Sequence, residues 1–294
     1  MIKHLNVLPQ KPDRVVLLGA RGFIGAAIRR QLEARSIPTL ALTSSDLNLA
    51  DLAAPERLAA TVKLTDTVVI LAAVTPDKGR DIATLMKNLA MMQAICAAVE
   101  KNGCAHLVYF SSDAVYNTAV SLVTEETPAS AQDLYGAMHY TREIMASSLA
   151  KVPVLVLRPT LVYGVDDTHN SYGPNRFRRS AQKEGKIALF GRGEEMRDHI
   201  HVDDVATLTM RCVLRRSTGT LNAATGISLS FYEVAELVAK QFGKTIQIVT
   251  VPRASPVTHR HYDVTNLIKA FPDFQFIGLE EGIVRMREEA VNVK

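Results

Sequence analysis

Two short stretches carry side chains that can move a proton. In DLYGAMHYTRE (133–143), Tyr135 precedes His139 by four residues, so on a helix the phenol and the imidazole share one face, a turn apart. In SSDAVY (111–116), Ser112 and Asp113 follow an apolar run that reads as a strand. A third stretch, GARGFIG (19–25), follows one strand-like run and opens a helix-like one. In that context Gly19 permits a tight turn, Gly22 lets backbone approach a pyrophosphate, and Gly25 allows close packing of helix on strand. The helix start at Phe23 and Ile24 then offers free amides and partial positive charge to phosphate. The spacing is G-x-x-G-x-x-G, a weaker signal than G-x-G-x-x-G, and it gains meaning from its place between strand and helix.

A dinucleotide site implies a choice of cofactor. An acid ending the second strand binds the adenosine 2′-hydroxyl and repels a 2′-phosphate. Here that strand, TLALT (39–43), ends in Thr43 and continues with Ser44 and Ser45; no carboxylate comes before Asp46. Arg21 lies inside the glycine turn, where a guanidinium can grip a 2′-phosphate with paired bonds. NADP(H) is therefore expected, with NAD(H) as the alternative. Asp51, in LNLADL, either faces the adenine or caps the following helix. Leu52 beside it belongs to the same expected cofactor set.

Positioning these groups requires a regular alternation of elements. Strand-like runs RVVLLGA (14–20), TLALT (39–43), DTVVILAAV (66–74), HLVYFSS (106–112) and VPVLVLRPT (152–160) alternate with helical stretches. The helices are FIGAAIRRQLEARS (23–36), PERLAATV (55–62), the run 82–99 and YGAMHYTREIMASSLA (135–150). In 82–99 apolar residues recur at Ile82, Leu85, Leu89, Met92, Cys96 and Val99, which defines one helical face. Continuous apolar strands between helices imply a parallel sheet covered on both faces. After about residue 163 the polar loop DDTHNSYGPNRFRRS begins a different texture. The expected fold is α/β: a Rossmann doubly wound parallel sheet with a smaller C-terminal α+β substrate domain. The dinucleotide-binding domain is expected over 13–165 plus about 195–222, and the substrate domain over 166–194 and 223–294.

Bulk properties narrow the partners. The net charge of +4 is spread without a basic block, which suits an anionic small molecule and not nucleic acid. Cys96, Cys104 and Cys212 lack CxxC spacing and read as core residues, with no metal site and no disulfide framework. Met86, Met91 and Met92 read as core filler. The N-terminal stretch MIKHLNVLPQKPDR has no apolar run suited to a signal peptide or a membrane span, so a cytoplasmic chain without membrane contact is expected.

In order along the chain, GARGFIG, SSDAVY, YGAMH, LRPTLVYG (157–164) and RDHIHVDDVA (197–206) resemble the extended short-chain dehydrogenase/reductases. These are the nucleotide-sugar epimerases, dehydratases and 4-ketoreductases, and the resemblance spans roughly 14–290. It implies a nicotinamide cofactor, a nucleotide-diphosphate sugar as substrate and a homodimer. By the same resemblance Tyr135 is the acid/base and Ser112 bonds the substrate oxygen. Pro159 lies beside the nicotinamide, Ala72 and Ala73 pass the cofactor ribose, and Asn88 sits on the packed helix. Arg197 holds the diphosphate, and Thr75 and Asn175 complete the expected substrate set. Hydride addition to a ketone creates an alkoxide, so a phenol placed at the oxygen supplies a proton as charge develops.

Two departures from the family pattern shape the expected activity. Its 4,6-dehydratases carry Thr-Asp-Glu where this chain has Ser112, Asp113 and Ala114, so the base for dehydration is missing. Asp113 either assists proton delivery or caps a turn. The family also places a lysine where His139 stands; that lysine holds the nicotinamide ribose and lowers the tyrosine pKa by its charge. An imidazole with a reference pKa of about 6.5 is mostly neutral at pH 7 and would act by charge only below that value. Arg142, two turns beyond Tyr135, reads as a poor substitute. The expected function is an NADP(H)-dependent reductase of a 4-keto nucleotide sugar. The alternatives are an NAD-dependent 4-epimerase and, because of His139, a nonenzymatic NAD(P)-binding regulator.

Overall fold

The β-branched runs become strands and the amphipathic stretches become helices in the computed structural model, which describes residues 2–292 apart from 168 and 244. In chain order the first elements are β1 (Lys3–His4), β2 (Arg14–Leu18), α1 (Phe23–Ala34), β3 (Thr39–Leu42), α2 (Ala54–Ala59) and β4 (Asp66–Ile70). Next come α3 (Ile82–Asn102), β5 (His106–Phe110), β6 (Leu122–Val123), α4 (Leu134–Ser147), β7 (Val154–Pro159), β8 (Leu161–Tyr163) and α5 (Pro174–Glu184). The remainder is β9 (Lys186–Phe190), β10 (Met196–His201), α6 (Val202–Leu214), β11 (Ser217–Ala223), β12 (Ser228–Ser230), α7 (Phe231–Ala239), β13 (Gln247–Val251), β14 (His261–Tyr262), α8 (Thr265–Ala270) and α9 (Leu279–Asn292). A 3-10 turn covers Asp113–Val115.

One unit comprises the chain up to Asn117, Glu125–Pro159 and Val205–Ala223. Its sheet has the order β1-β11-β7-β5-β4-β2-β3, parallel except for β1 against β11. Successive side chains of a strand point to opposite faces. Val16, Leu18, Val68, Ile70, Leu107 and Tyr109 pack with Met92, Ile95 and Val99 of α3. Their neighbours Val15, Leu17, Val69 and Val108 are also buried, so both faces are covered, as in a doubly wound sheet. The chain leaves β2 for β3 on one side and returns to β4 on the other. That reversal opens a crevice at the carboxyl ends of β2 and β4, the place where such sheets take ligands. By length and composition α3 is apolar enough to cross a bilayer; here it packs on α2 and α4 and feeds the core.

The start of α4 is built to bring two functional stretches together. Asp133 caps the helix, accepting from the Gly136 amide at 2.8 Å. Gly136 then rests directly on the 3-10 turn: any Cβ there would overlap the Ala114 carbonyl oxygen. An alanine at 136 would push Tyr135 away from Ser112.

The other unit comprises Thr118–Thr124, Thr160–Asp204 and the chain from Ala224 onward. It holds the three-stranded sheet β12-β10-β8 and the pairs β13-β9 and β14-β6. Phe177, Ile187, Leu189, Phe231, Val234 and Ile283 form its core, and a reciprocal capping box between Ser230 and Glu233 starts α7. Its limits differ from the sequence expectation. Residues 195–204 belong here because β10 hydrogen-bonds to β8 and β12, and 118–124 because β6 pairs with β14. Cys96, Cys104 and Cys212 are buried and free, as expected. Met92 is core, but Met86 is exposed on the outer face of α3 and fills nothing.

Candidate active site

The glycine turn has the shape a dinucleotide needs. Gly19 has φ +96°, and a Cβ there would lie 2.9 Å from the Ala72 amide nitrogen, so the ends of β2 and β4 touch only because 19 is glycine. Gly22 is the N-cap of α1 with no side-chain cap, and the first turn, opened by Phe23 and Ile24, carries no acid. The helix start is therefore left to an anion from outside. Gly25 packs against the Gly19 carbonyl. This chemistry fits the pyrophosphate of a nicotinamide dinucleotide.

The end of β3 differs from the sequence expectation. The chain turns back at Thr43, and Asp46 accepts from the Thr43 amide at 2.9 Å and its hydroxyl at 2.6 Å. These bonds, with a smaller contribution from the Arg21 charge, hold the Asp46 carboxyl below its ordinary range. Arg21 also donates to the Ser45 hydroxyl at 3.3 Å. An acid thus does stand at the end of the second strand, brought there by a turn that residue counting passes over. Asp51 does not cap α2, whose N-cap is Ala53; its carboxylate accepts from Asn48 at 2.6 Å. Leu52 is wholly exposed.

Past β4, Asn88 is buried and clamps Val74 from both sides. Its Oδ1 accepts from the Val74 amide at 2.8 Å and its Nδ2 donates to the Val74 carbonyl at 3.0 Å. Its side chain is spent on shaping the Ala72–Thr75 segment, so any hold on a cofactor is indirect. The buried Thr75 hydroxyl has no hydrogen-bond partner. A cavity of about 270 Å³ opens here, lined among others by Val74, Arg80, Asn88, Asp133, Tyr135 and Met138.

The contact of Gly136 with Ala114 sets the Tyr135 end of α4 against the turn that follows Ser112. The Ser112 hydroxyl accepts from the Ala114 amide at 3.2 Å, so Ser112, and not Asp113, caps the turn. The same hydroxyl donates to the Asp113 carboxylate at 3.5 Å. Burial pushes the Tyr135 phenol up to about 12; the Ser112 hydroxyl and the Arg142 charge pull it down, while Asp113 and Asp133 push it up. The phenol is therefore in its acid form throughout the neutral range.

His139 overturns one expectation. It packs edge-on against the Tyr135 ring, centroids 4.6 Å apart, and its Nδ1 lies 2.8 Å from the Tyr109 hydroxyl. Burial, reinforced by the Arg142 charge, drives its pKa down to about 3, so it stays neutral as pH falls through 6.5. Its Nε2 is buried without a hydrogen-bond partner. Arg142, dismissed on spacing, is fully buried on the same side of α4, donates to the Ala72 carbonyl at 2.9 Å and lies over the Tyr109 ring. Positions 135, 139 and 142 follow the i, i+4, i+7 spacing of one helical face, a signal available in the sequence.

Behind Ser112 runs a buried network. Ser111 donates to Glu143, Arg158 grips the Glu143 carboxylate at 2.9 and 2.6 Å and reaches the Tyr116 hydroxyl at 2.8 Å, and Tyr116 donates to Asn222 at 2.7 Å. It ties β5, α4, β7 and β11 together beneath the site; Pro159 ends β7 one residue past this anchor.

In the second unit Arg197 donates to the Thr258 carbonyl at 2.6 Å and hydroxyl at 2.8 Å, and half-faces a small cavity with His199 and Thr225. Asn175 is buried and holds Gly164 and Val162, which leaves it a support of β8.

Comparisons with known proteins agree with this architecture. Residues 15–224 match the NAD dependent epimerase/dehydratase family. GDP-L-fucose synthase of Escherichia coli K12 is 27% identical over 296 residues, covering 87% of this chain and 89% of that protein. The dTDP-4-dehydro-6-deoxy-D-allose reductase of Streptomyces bikiniensis is 26% identical over 315 residues, covering 92% and 93%. A GDP-L-fucose synthetase structure from Naegleria fowleri has the same fold, with a TM-score of 0.85 at 17% identity over 99% of this chain and 96% of that one. With a glycine turn fitted to a dinucleotide and a Ser112–Tyr135 pair beside it, the chain belongs to the NAD-dependent epimerase/dehydratase family of extended short-chain dehydrogenase/reductases and is an NAD(P)-dependent enzyme.

Proposed function

We propose that this chain is an NADP(H)-dependent reductase of a 4-keto nucleotide-diphosphate sugar. The observation that carries the reading is the juxtaposition of Tyr135, at the start of α4, with a Ser112 hydroxyl fixed by its own turn, on which α4 rests through Gly136. When bound, the nicotinamide supplies the hydride that reaches the carbonyl carbon. The chain's part is to hold the carbonyl oxygen on the Ser112 hydroxyl and to give that oxygen the Tyr135 proton as negative charge develops on it. The phenolate left behind recovers its proton from solvent. A phenol pushed up to about 12 suits this direction, because Tyr135 starts protonated, and it makes the reverse alcohol oxidation slow. The name of the Streptomyces relative, a reductase of a 4-dehydro sugar nucleotide, supports the same reading.

The glycine turn and Ala72–Ala73 would hold the dinucleotide, Arg21 and Ser45 its 2′-phosphate, and Arg197 the substrate diphosphate. Asp46 stands against the 2′-phosphate, and that observation favours the second reading, an NAD-dependent 4-epimerase. Family membership sets the nonenzymatic regulator aside. The exposed Ile82 and Met86 of α3 and Tyr140 and Ile144 of α4 support the expected homodimer. The test is to supply a 4-keto nucleotide sugar with NADPH or NADH and follow cofactor and product together. Net consumption of NADPH with one alcohol formed per cofactor is expected. A cofactor that copurifies and is not consumed, with interconversion of two 4-epimers, would establish the epimerase instead.

A further inference from the structure

Arg142 is a buried cation that no carboxylate neutralises. Its contacts are the Ala72 carbonyl at 2.9 Å, the Met138 sulfur at 3.8 Å and the face of Tyr109, 5.2 Å to the centroid. Its Nε has no partner, and no acid among the described residues comes within ion-pair distance. A guanidinium stays charged when buried, and in a water-poor interior its field is screened far less than at the surface. His139 stands between it and Tyr135 along α4, touching Tyr135 edge-on and Tyr109 through Nδ1.

Resting on the reading of Tyr135 as proton donor, we propose that Arg142 is a positioning residue that supplies the fixed positive charge stabilising the Tyr135 phenolate, with neutral His139 as the packed spacer between them. Apart from Arg80 in the cavity lining, the other groups around Tyr135 are neutral or oppose that role. Asp113 of the 3-10 turn and Asp133 at the helix cap are acids that resist a phenolate. Ser112 carries no charge, and Tyr109 on β5 is kept protonated by burial. Arg80 and Asp81 line the same cavity with opposite signs. Arg142 is the cation whose charge favours the phenolate.

A purely structural Arg142, holding only Ala72, would leave the Tyr135 titration in place. The test needs no substrate, so its failure is separate from failure of the reductase reading. The full chain is made with difluorotyrosine, whose lower phenol pKa brings ionisation into a range where the fold survives. The Tyr135 fluorine signal is assigned with Tyr135→Phe and followed against pH. Arg142→Met should raise its midpoint by about one pH unit, a tenfold change in proton affinity. Arg142→Lys should restore most of that shift, and His139→Gln should move the midpoint by much less. An unmoved midpoint in Arg142→Met, or an equal shift in His139→Gln, overturns the proposal. Should circular dichroism show that Arg142→Met does not fold, Arg142→Gln against Arg142→Lys makes the same comparison. In wild type the signal should show no step between about pH 5 and 7; a step there, which a charging His139 would produce, overturns it as well.

Discussion

Two buried guanidinium groups flank adjacent residues of α4 and are treated in opposite ways. Arg158 meets the Glu143 carboxylate with two bonds, at 2.9 and 2.6 Å, and its remaining nitrogen reaches Tyr116. Arg142, one residue before Glu143, turns to the side that carries Tyr135 and His139 and receives a carbonyl, a thioether and a ring, but no counter-ion. The first arrangement cancels its own field and acts as a rivet beneath the strand ends. The second leaves its field in place on the side of α4 that carries Tyr135. Neutralised charge ties the scaffold together here, and the unneutralised charge lies on the Tyr135 side of the helix.

The largest expected effect of breaking this contrast falls on the rivet. Glu143→Ala leaves Arg158 buried without its counter-ion and should cost about 3–5 kcal/mol of stability in urea unfolding; a loss below about 1 kcal/mol would show that Arg158 finds water or another acceptor. Arg142→Met removes a charge instead of orphaning one. It should cost less, about 1–3 kcal/mol, chiefly through the unpaired Ala72 carbonyl. If unfolding ranks the two variants the other way, the contrast is wrong.

The smallest effect is a slope with pH. His139 is a base whose folded pKa, about 3, lies below its unfolded value of about 6.5. Its neutral form is the folded one, so its contribution is complete above pH 6.5 and is lost as pH falls from there toward 3, by about 1.4 kcal/mol per unit. His106 and His199, both driven down to about 4 by burial, act in the same sense. Asp198 and Asp204, pushed up by burial to about 6 and 7, act against them: their folded forms hold a proton that the unfolded chain has released, which favours folding as pH falls. Urea unfolding of His139→Gln at pH 5 and 6 should show a slope shallower than wild type by about 1.4 kcal/mol per pH unit. An unchanged slope would mean that His139 is charged or hydrated in the folded protein.

Much of this was legible in the residues, and the parts that were not have physical reasons. The alternation of apolar strands and amphipathic helices revealed the doubly wound sheet because each face demands its own covering layer. GARGFIG was legible because only glycine allows the close backbone approaches at 19 and 25. Asp46 was missed because a turn, not a strand, brings it back to Thr43. The burial of Arg142 was not legible because it depends on the Ala72 carbonyl and the Tyr109 ring, brought to it by tertiary packing. His139 was given a titration near neutrality because its burial depends on Tyr109 and α4 packing, which no single-residue property encodes. The rivet of Glu143 and Arg158 joins residues 15 positions apart through tertiary contact alone. The role of Gly136 likewise appears only once the Ala114 carbonyl lies against it.

The most direct test of the central claim compares wild type with Tyr135→Phe in NADPH-dependent reduction of a 4-keto nucleotide sugar, with cofactor affinity titrated in parallel. The ring and its edge-on contact with His139 remain, and only the proton donor is removed. Turnover should fall by about 10²–10⁴-fold while NADPH affinity changes little; full activity in Tyr135→Phe would show that another acid protonates the substrate oxygen.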